Sequence, residues 1–186
     1  MPVQEVLQLT KTTMMKSLDY FKVQLSKVRT GRASGNLLDD IYVDYYGAPT
    51  PLSQVASVSV PDARSIMIQP FDRTMISAID RAIQLAGLGF NPQNDGTVIR
   101  IPVPPLTEER RRDFVKQCKK YAEEAKIAVR GVRRDSMEAL KKLEKGKAIT
   151  EDDRKRGEDE IQKATDEYIK KTDDILNIKE KELMDN

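Results

Sequence analysis

From residue 106 to residue 186 the chain contains no proline, and this stretch constrains the fold more than any other feature. A run of that length without a helix breaker, and with apolar residues at helical spacing, reads as long helices. Thr107 follows Pro104-Pro105 as an N-cap, and Glu108 and Glu109 fall in the first turn, where the helix dipole favours negative charge. The next forty residues make a helix of ~60 Å at 1.5 Å rise. Its core stripe reads as Phe114, Cys118, Tyr121, Ala125, Ala128, Val132, Ala139 and Leu143. Another helix starts at Thr150, with Asp153 as its capping-box partner, and its apolar side is Ile161, Ala164, Tyr168, Thr172, Ile175 and Leu183.

The N-terminal segment has the same character. Leu7, Met14, Phe21 and Val28 recur every seven residues, with Leu18 and Leu25 at the complementary position. This is an a/d seam over residues 3–29, weakened at its start by Gln4 and Lys11 and stopped at Thr30-Gly31. Three amphipathic helices of this length bury their stripes together, and an antiparallel three-helix bundle is the expected solution.

The middle of the chain is different. Residues 30–105 carry 12 charges, whereas residues 1–29 and 106–186 carry 50, a shift that marks a domain boundary. Ile41, Val43 and Tyr45 alternate with Tyr42, Asp44 and Tyr46 as a half-buried strand does, and Gly47 to Pro51 reads as a turn. Val58–Val60 and Ile66–Ile68 read as strands separated at Pro61-Asp62. Met75, Ile76, Ile79, Ala82, Ile83 and Ala86 repeat at helical spacing after Asp72 and before Gly87. A last strand runs through Val98, Ile99 and Ile101. The expected fold is therefore α+β. A discontinuous bundle (1–29 and 106–186) carries an inserted, mostly β domain with one helix (30–105). The chain crosses between them twice, at Thr30-Gly31 and at Val103-Pro104-Pro105-Leu106, and two short crossings side by side read as a hinge.

Composition narrows the chemistry. The chain has no histidine and one cysteine, Cys118. That removes Ser-His and Cys-His nucleophilic pairs, the usual metal ligands and any intramolecular disulfide. Gly146-Lys147-Ala148 lacks the earlier glycine and the Ser/Thr of a P-loop. Glu151-Asp152-Asp153 and Glu158-Asp159-Glu160 read as solvated helix faces rather than divalent-ion sites. No metal or cofactor is expected, any nucleotide hydrolysis belongs to a partner, and no run is apolar enough to span a bilayer. The chain reads as a cytosolic binding protein and not as an enzyme.

The binding feature is basic. The net charge of +2 hides a segment, 110–147, with 14 basic and 6 acidic residues, followed by an acidic one. With Lys126 at zero on a helical wheel, Lys119 lies at about 20°, Arg130 at about 40°, Lys116 and Arg134 at about 80° and Arg133 at about 340°. The expected core centres near roughly 250°, so these side chains form one stripe turned away from it. A rigid row of guanidinium and ammonium groups ~27 Å long can engage several phosphates of a folded RNA at once.

Several ordered motifs resemble one family. Val28-Arg29-Thr30-Gly31-Arg32-Ala33-Ser34, Tyr45-Tyr46-Gly47 with Thr50-Pro51-Leu52, Leu88-Gly89 with Asn91-Pro92, Leu106-Thr107-Glu108-Glu109-Arg110-Arg111 and Val132-Arg133-Arg134-Asp135 together resemble ribosome recycling factor along the full length. The resemblance implies an L-shaped monomer of tRNA size, with a three-helix bundle and a smaller hinged α/β domain. It implies a factor that acts after peptide release and, with elongation factor G and its GTP, splits the ribosome into subunits. It implies that the bundle lies on large-subunit rRNA, with Arg130 and Arg133 at the contacting positions and Arg29 and Arg32 at the hinge motif. Gly35 stands where family members often have proline. The competing readings are a general structured-RNA binder using the same stripe and a helical scaffold using the seam of the first helix. The expected location is bacterial cytoplasm, or an organellar matrix or stroma for a processed form.

Overall fold

The computed structural model describes residues 2–185. It contains five helices and six strands: α1 (Pro2–Ser26), β1 (Tyr42–Tyr45), β2 (Ala48–Pro51), the single turn α2 (Leu52–Val55), β3 (Ala56–Asp62), β4 (Ser65–Pro70), α3 (Ile76–Leu85), β5 (Gln93–Asn94), β6 (Ile99–Pro102), α4 (Glu108–Lys145) and α5 (Glu151–Asp185). The described residues divide into two compact units, one of residues 2–28 and 112–185, the other of residues 29–111.

In the first unit α1, α4 and α5 form the bundle. The heptad seam of α1 is its core: Leu7, Met14, Leu18, Phe21, Leu25 and Val28 are all buried. Thr10 is buried among them and departs from the heptad pattern. Its hydroxyl donates to the Val6 carbonyl (2.6 Å), so the 2.6 Å contact with Ser136 of α4 is donated by the serine. Both polar groups are thereby satisfied inside the bundle. The caps form as the sequence implies. Thr107 accepts from the Arg110 N–H (3.1 Å), and Thr150 and Asp153 exchange side-chain to backbone bonds at 3.1 and 3.3 Å.

The Thr150 N–H, then the Thr150 hydroxyl, hold the Asp153 carboxyl below its ordinary value of 3.8. A group depressed in the folded state stabilises fully above its ordinary value, and that contribution disappears as pH falls through the lowered one. The Tm difference between the protein and an Asp153→Asn variant should therefore narrow as the pH is taken below 3.8, in thermal melts followed by circular dichroism.

Where the three helices converge, Leu7, Leu140 and Ile161 pack with Val3 and Ile149 around them. Gly157 of α5 is buried here because a Cβ would lie 2.8 Å from Leu140 Cδ1 and 3.3 Å from Val3 Cγ1. Glycine to alanine inside a helix ordinarily gains about 1 kcal/mol. At this position overpacking reverses the sign, and Gly157→Ala should cost about 1–2 kcal/mol in denaturant unfolding.

The second unit holds an antiparallel sheet in the order β3-β4-β6-β5 and a separate β1-β2 hairpin. Its core gathers Val43, Ile66, Ile68, Ile79, Ile83, Ile99 and Ile101 between sheet, hairpin and α3. The sequence places a turn over Gly47–Pro51, whereas only Tyr46 and Gly47 turn (φ 50° and 85°) and the next four residues pair as β2. Two consecutive positive φ values are what a two-residue hairpin of the right twist requires. Pro61-Asp62 likewise does not end its strand. β3 continues through Asp62 with a register shift after Ser59, as a proline on an edge strand dictates. The reversal falls at Ala63-Arg64, where Asp62 accepts from the Arg64 N–H (2.7 Å).

Candidate nucleic-acid interface

The face that α4 buries differs from the one read off its sequence. Its buried residues are Cys118, Ala122, Ala125, Val129, Ser136 and Leu140, while Phe114, Tyr121, Val132, Ala139 and Leu143 are only half-buried and Ala128 is exposed. On the wheel the buried set centres near roughly 290°, a rotation of ~40° toward the basic stripe. The two sets share Cys118 and Ala125, but the larger expected residues Phe114, Tyr121, Val132 and Leu143 fall at the margin of a contact made by Ala122, Val129, Ser136 and Leu140. Cys118 is fully buried, and burial pushes its thiol up to about 11, far from a reactive thiolate.

This rotation sorts the six predicted basic residues into two groups. Lys126 and Arg133 lie on the edge facing α5. Lys126 pairs with Asp173 with its side chain 18% exposed, and Arg133 Nε donates to Gln162 Oε1 at 2.7 Å. Lys116, Lys119, Arg130 and Arg134 are exposed. Lys119 lies 4.0 Å from Glu180, and Arg130 3.6 Å from Glu123 with both side chains more than half exposed. The exposed Arg130–Glu123 pair is worth at most about 1 kcal/mol and yields readily to a phosphate.

Arg130, Arg133 and Arg134 line one open groove between α4 and α5, of about 610 Å³. Ile127 and Ile169 supply its apolar part, and Gln162, Thr165 and Asp166 its far wall. Such a surface offers planar cations beside apolar carbon, the combination that phosphates and unstacked bases use. The α5 residues escape the sequence reading. Gln162 and Asp166 are four apart on one helix face, but only the register of the bundle brings them to the arginines.

The residues at the two crossings lie in the second unit. The Arg29 guanidinium donates to the Leu88 carbonyl (2.5 Å) and sits 4.9 Å over the Phe90 ring, so it is held inside that unit. Arg32 is exposed. Gly31 has φ +81°, and a Cβ there would meet Leu106 Cγ at 3.2 Å. Its carbonyl accepts from Arg64 Nη1 (2.8 Å), while the Arg64 carbonyl accepts from the buried Val103 N–H (2.7 Å). Arg64 thus ties both crossing segments to the small unit, with Thr30 half-buried and Pro104 and Pro105 exposed. The positive φ and the Leu106 contact together predict that Gly31→Ala costs about 1–3 kcal/mol, read as a lowered unfolding midpoint.

Among the described residues no group of three or more His, Cys, Asp or Glu is placed to hold a metal ion. No helix among them is long and apolar enough to cross a membrane.

Comparison with known proteins gives this geometry its setting. The family model described as "Ribosome recycling factor" matches residues 21–184. The ribosome-recycling factor of Nitratidesulfovibrio vulgaris (strain DP4) is 54% identical over 185 residues, covering 100% of both chains. That of Bacillus mycoides (strain KBAB4) is 57% identical over 182 residues, covering 98% of each. A solution structure of the ribosome recycling factor superposes with a TM-score of 0.80 at 39% identity, covering 100% of this chain and 99% of the other. A structure of the T. thermophilus ribosome recycling factor with the E. coli elongation factor G on the E. coli post-termination complex gives 0.65 at 45% identity, covering 98% and 99%. The chain belongs to the ribosome recycling factor family.

Proposed function

We propose that this protein binds the post-termination ribosome and, together with elongation factor G, recycles it into subunits, as a translation factor that itself makes and breaks no bond. The observation that carries the reading is the arginine-lined groove of α4, in a chain whose whole length matches the family. Arg130, Arg133 and Arg134 would hold large-subunit rRNA phosphates, flanked by Lys116 and Lys119, while Lys126 supports the face through its pair with Asp173. GTP is hydrolysed by the partner and not by this chain. Arg29 braces the small domain from within, and Arg32 is left as the cation at the crossing that can reach RNA.

The bundle (1–29 and 106–186) would anchor to RNA while the inserted domain (30–105) takes the push of the GTPase. The pivot lies at Thr30-Gly31 and Val103–Leu106, with Arg64 keeping both segments fixed to the moving domain. The protein works as a monomer in the bacterial cytoplasm, or in an organelle if processed. The scaffold reading loses its surface, because the α1 seam is buried within the chain's own bundle.

Co-sedimentation with purified large subunits tests the reading. The expected result is binding that weakens steeply with salt and exceeds binding to an unrelated structured RNA of equal length. Equal affinity for both would favour a general RNA binder.

A further inference from the structure

The groove contains a polar chain that the basic stripe does not require. Arg133 Nε donates to Gln162 Oε1 (2.7 Å), and Gln162 Nε2 donates to Asp166 Oδ1 (2.9 Å). An arginine has no acceptor and a carboxylate no donor, so a glutamine between them can adopt one orientation only. The Gln162 amide is therefore locked, and it in turn holds the guanidinium by its Nε edge. Arg133 Nη1 and Nη2 make no other hydrogen bond or ion pair among the described residues, and the residue lines the groove with Arg130 and Arg134. The partner on Nε is a neutral amide, so it orients the guanidinium without cancelling its charge. A carboxylate in its place would form a bidentate pair and compete with a phosphate. Asp166, which carries the negative charge, is one residue further from the arginine.

We propose that Gln162 and Asp166 are positioning residues. They present the outer edge of the Arg133 guanidinium to one phosphate in the geometry a two-pronged contact needs. This rests on the reading of the groove as the rRNA contact. Ordering a long side chain before binding spares about 0.5–1.5 kcal/mol, about twofold to tenfold in affinity.

The test measures affinity of the full-length protein for purified large ribosomal subunits across a salt series, for Gln162→Ala, Arg133→Ala, Arg133→Lys and the Arg133→Lys/Gln162→Ala pair. Gln162→Ala should weaken binding about twofold to tenfold with the salt slope unchanged, because no charge is lost. In the Arg133→Lys background, where no fork remains to orient, the same change should have no further effect. Arg133→Ala should weaken binding and lower the salt slope by about 1. Equal losses from Gln162→Ala in both backgrounds would mean a structural role and would overturn the proposal, as would full affinity in the single variant. If Gln162→Ala has no effect while Arg133→Ala does, the positioning chain alone falls. If Arg133→Ala binds as well as the parent, the groove reading falls and takes the positioning chain with it.

Discussion

Replacing Arg130, Arg133 and Arg134 together by alanine should lower affinity for the large ribosomal subunit by about 10²–10³-fold and reduce the salt slope by about 3. The three guanidinium groups line one groove, and each is expected to meet a phosphate. Stability should change far less. Arg130 loses an exposed pair with Glu123, worth at most about 1 kcal/mol, and Arg133 loses one hydrogen bond, worth about 1 kcal/mol net. Arg134 is exposed and makes no ion pair among the described residues. Binding by equilibrium sedimentation and Tm by calorimetry separate the two effects. A variant that binds at parental affinity would show that the groove is not the contact, and one that fails to fold would show that these arginines support the fold.

The second large effect is on stability. Phe21 is fully buried in the C-terminal half of the α1 seam. Phe21→Ala should cost about 3–5 kcal/mol, from lost transfer energy and the cavity left in a bundle that can only partly collapse. Chemical denaturation gives the value directly. The contrast with the arginines is informative: Phe21 supports the rod and has no role at the groove. Near-parental stability would mean that the seam packs against something other than the chain's own helices.

The elements that depend on local chemistry were legible from the residues. The α1 seam repeats every seven residues, and Leu7, Met14, Leu18, Phe21 and Leu25 are buried as it implies, with Thr10 the added buried position. The starts of α4 and α5 follow from Thr107 and Thr150, whose side chains make the capping bonds that their spacing implies. The small strands were recognisable but their ends were not. A turn at Tyr46-Gly47 needs a tyrosine at φ 50°, which propensity argues against, and β3 runs past Pro61 because it is an edge strand. The rotation of α4 was not legible either. Ala122 and Val129 sit at the contact in place of Ala128 and Val132, and because each pair is of one residue type, composition could not choose between the two faces. This rotation is what carries Arg133 to Gln162. The basic stripe could be named from the sequence, but its division into groove-lining arginines and a buried-edge lysine required the register of three helices.

We propose a division of labour in which this chain supplies shape and placed charge and a GTPase supplies energy. Light scattering of post-termination ribosomes tests it most directly. The account predicts that scattering falls, as subunits separate, only when this protein, elongation factor G and GTP are all present. Separation driven by this protein alone, or none with all three together, would contradict it.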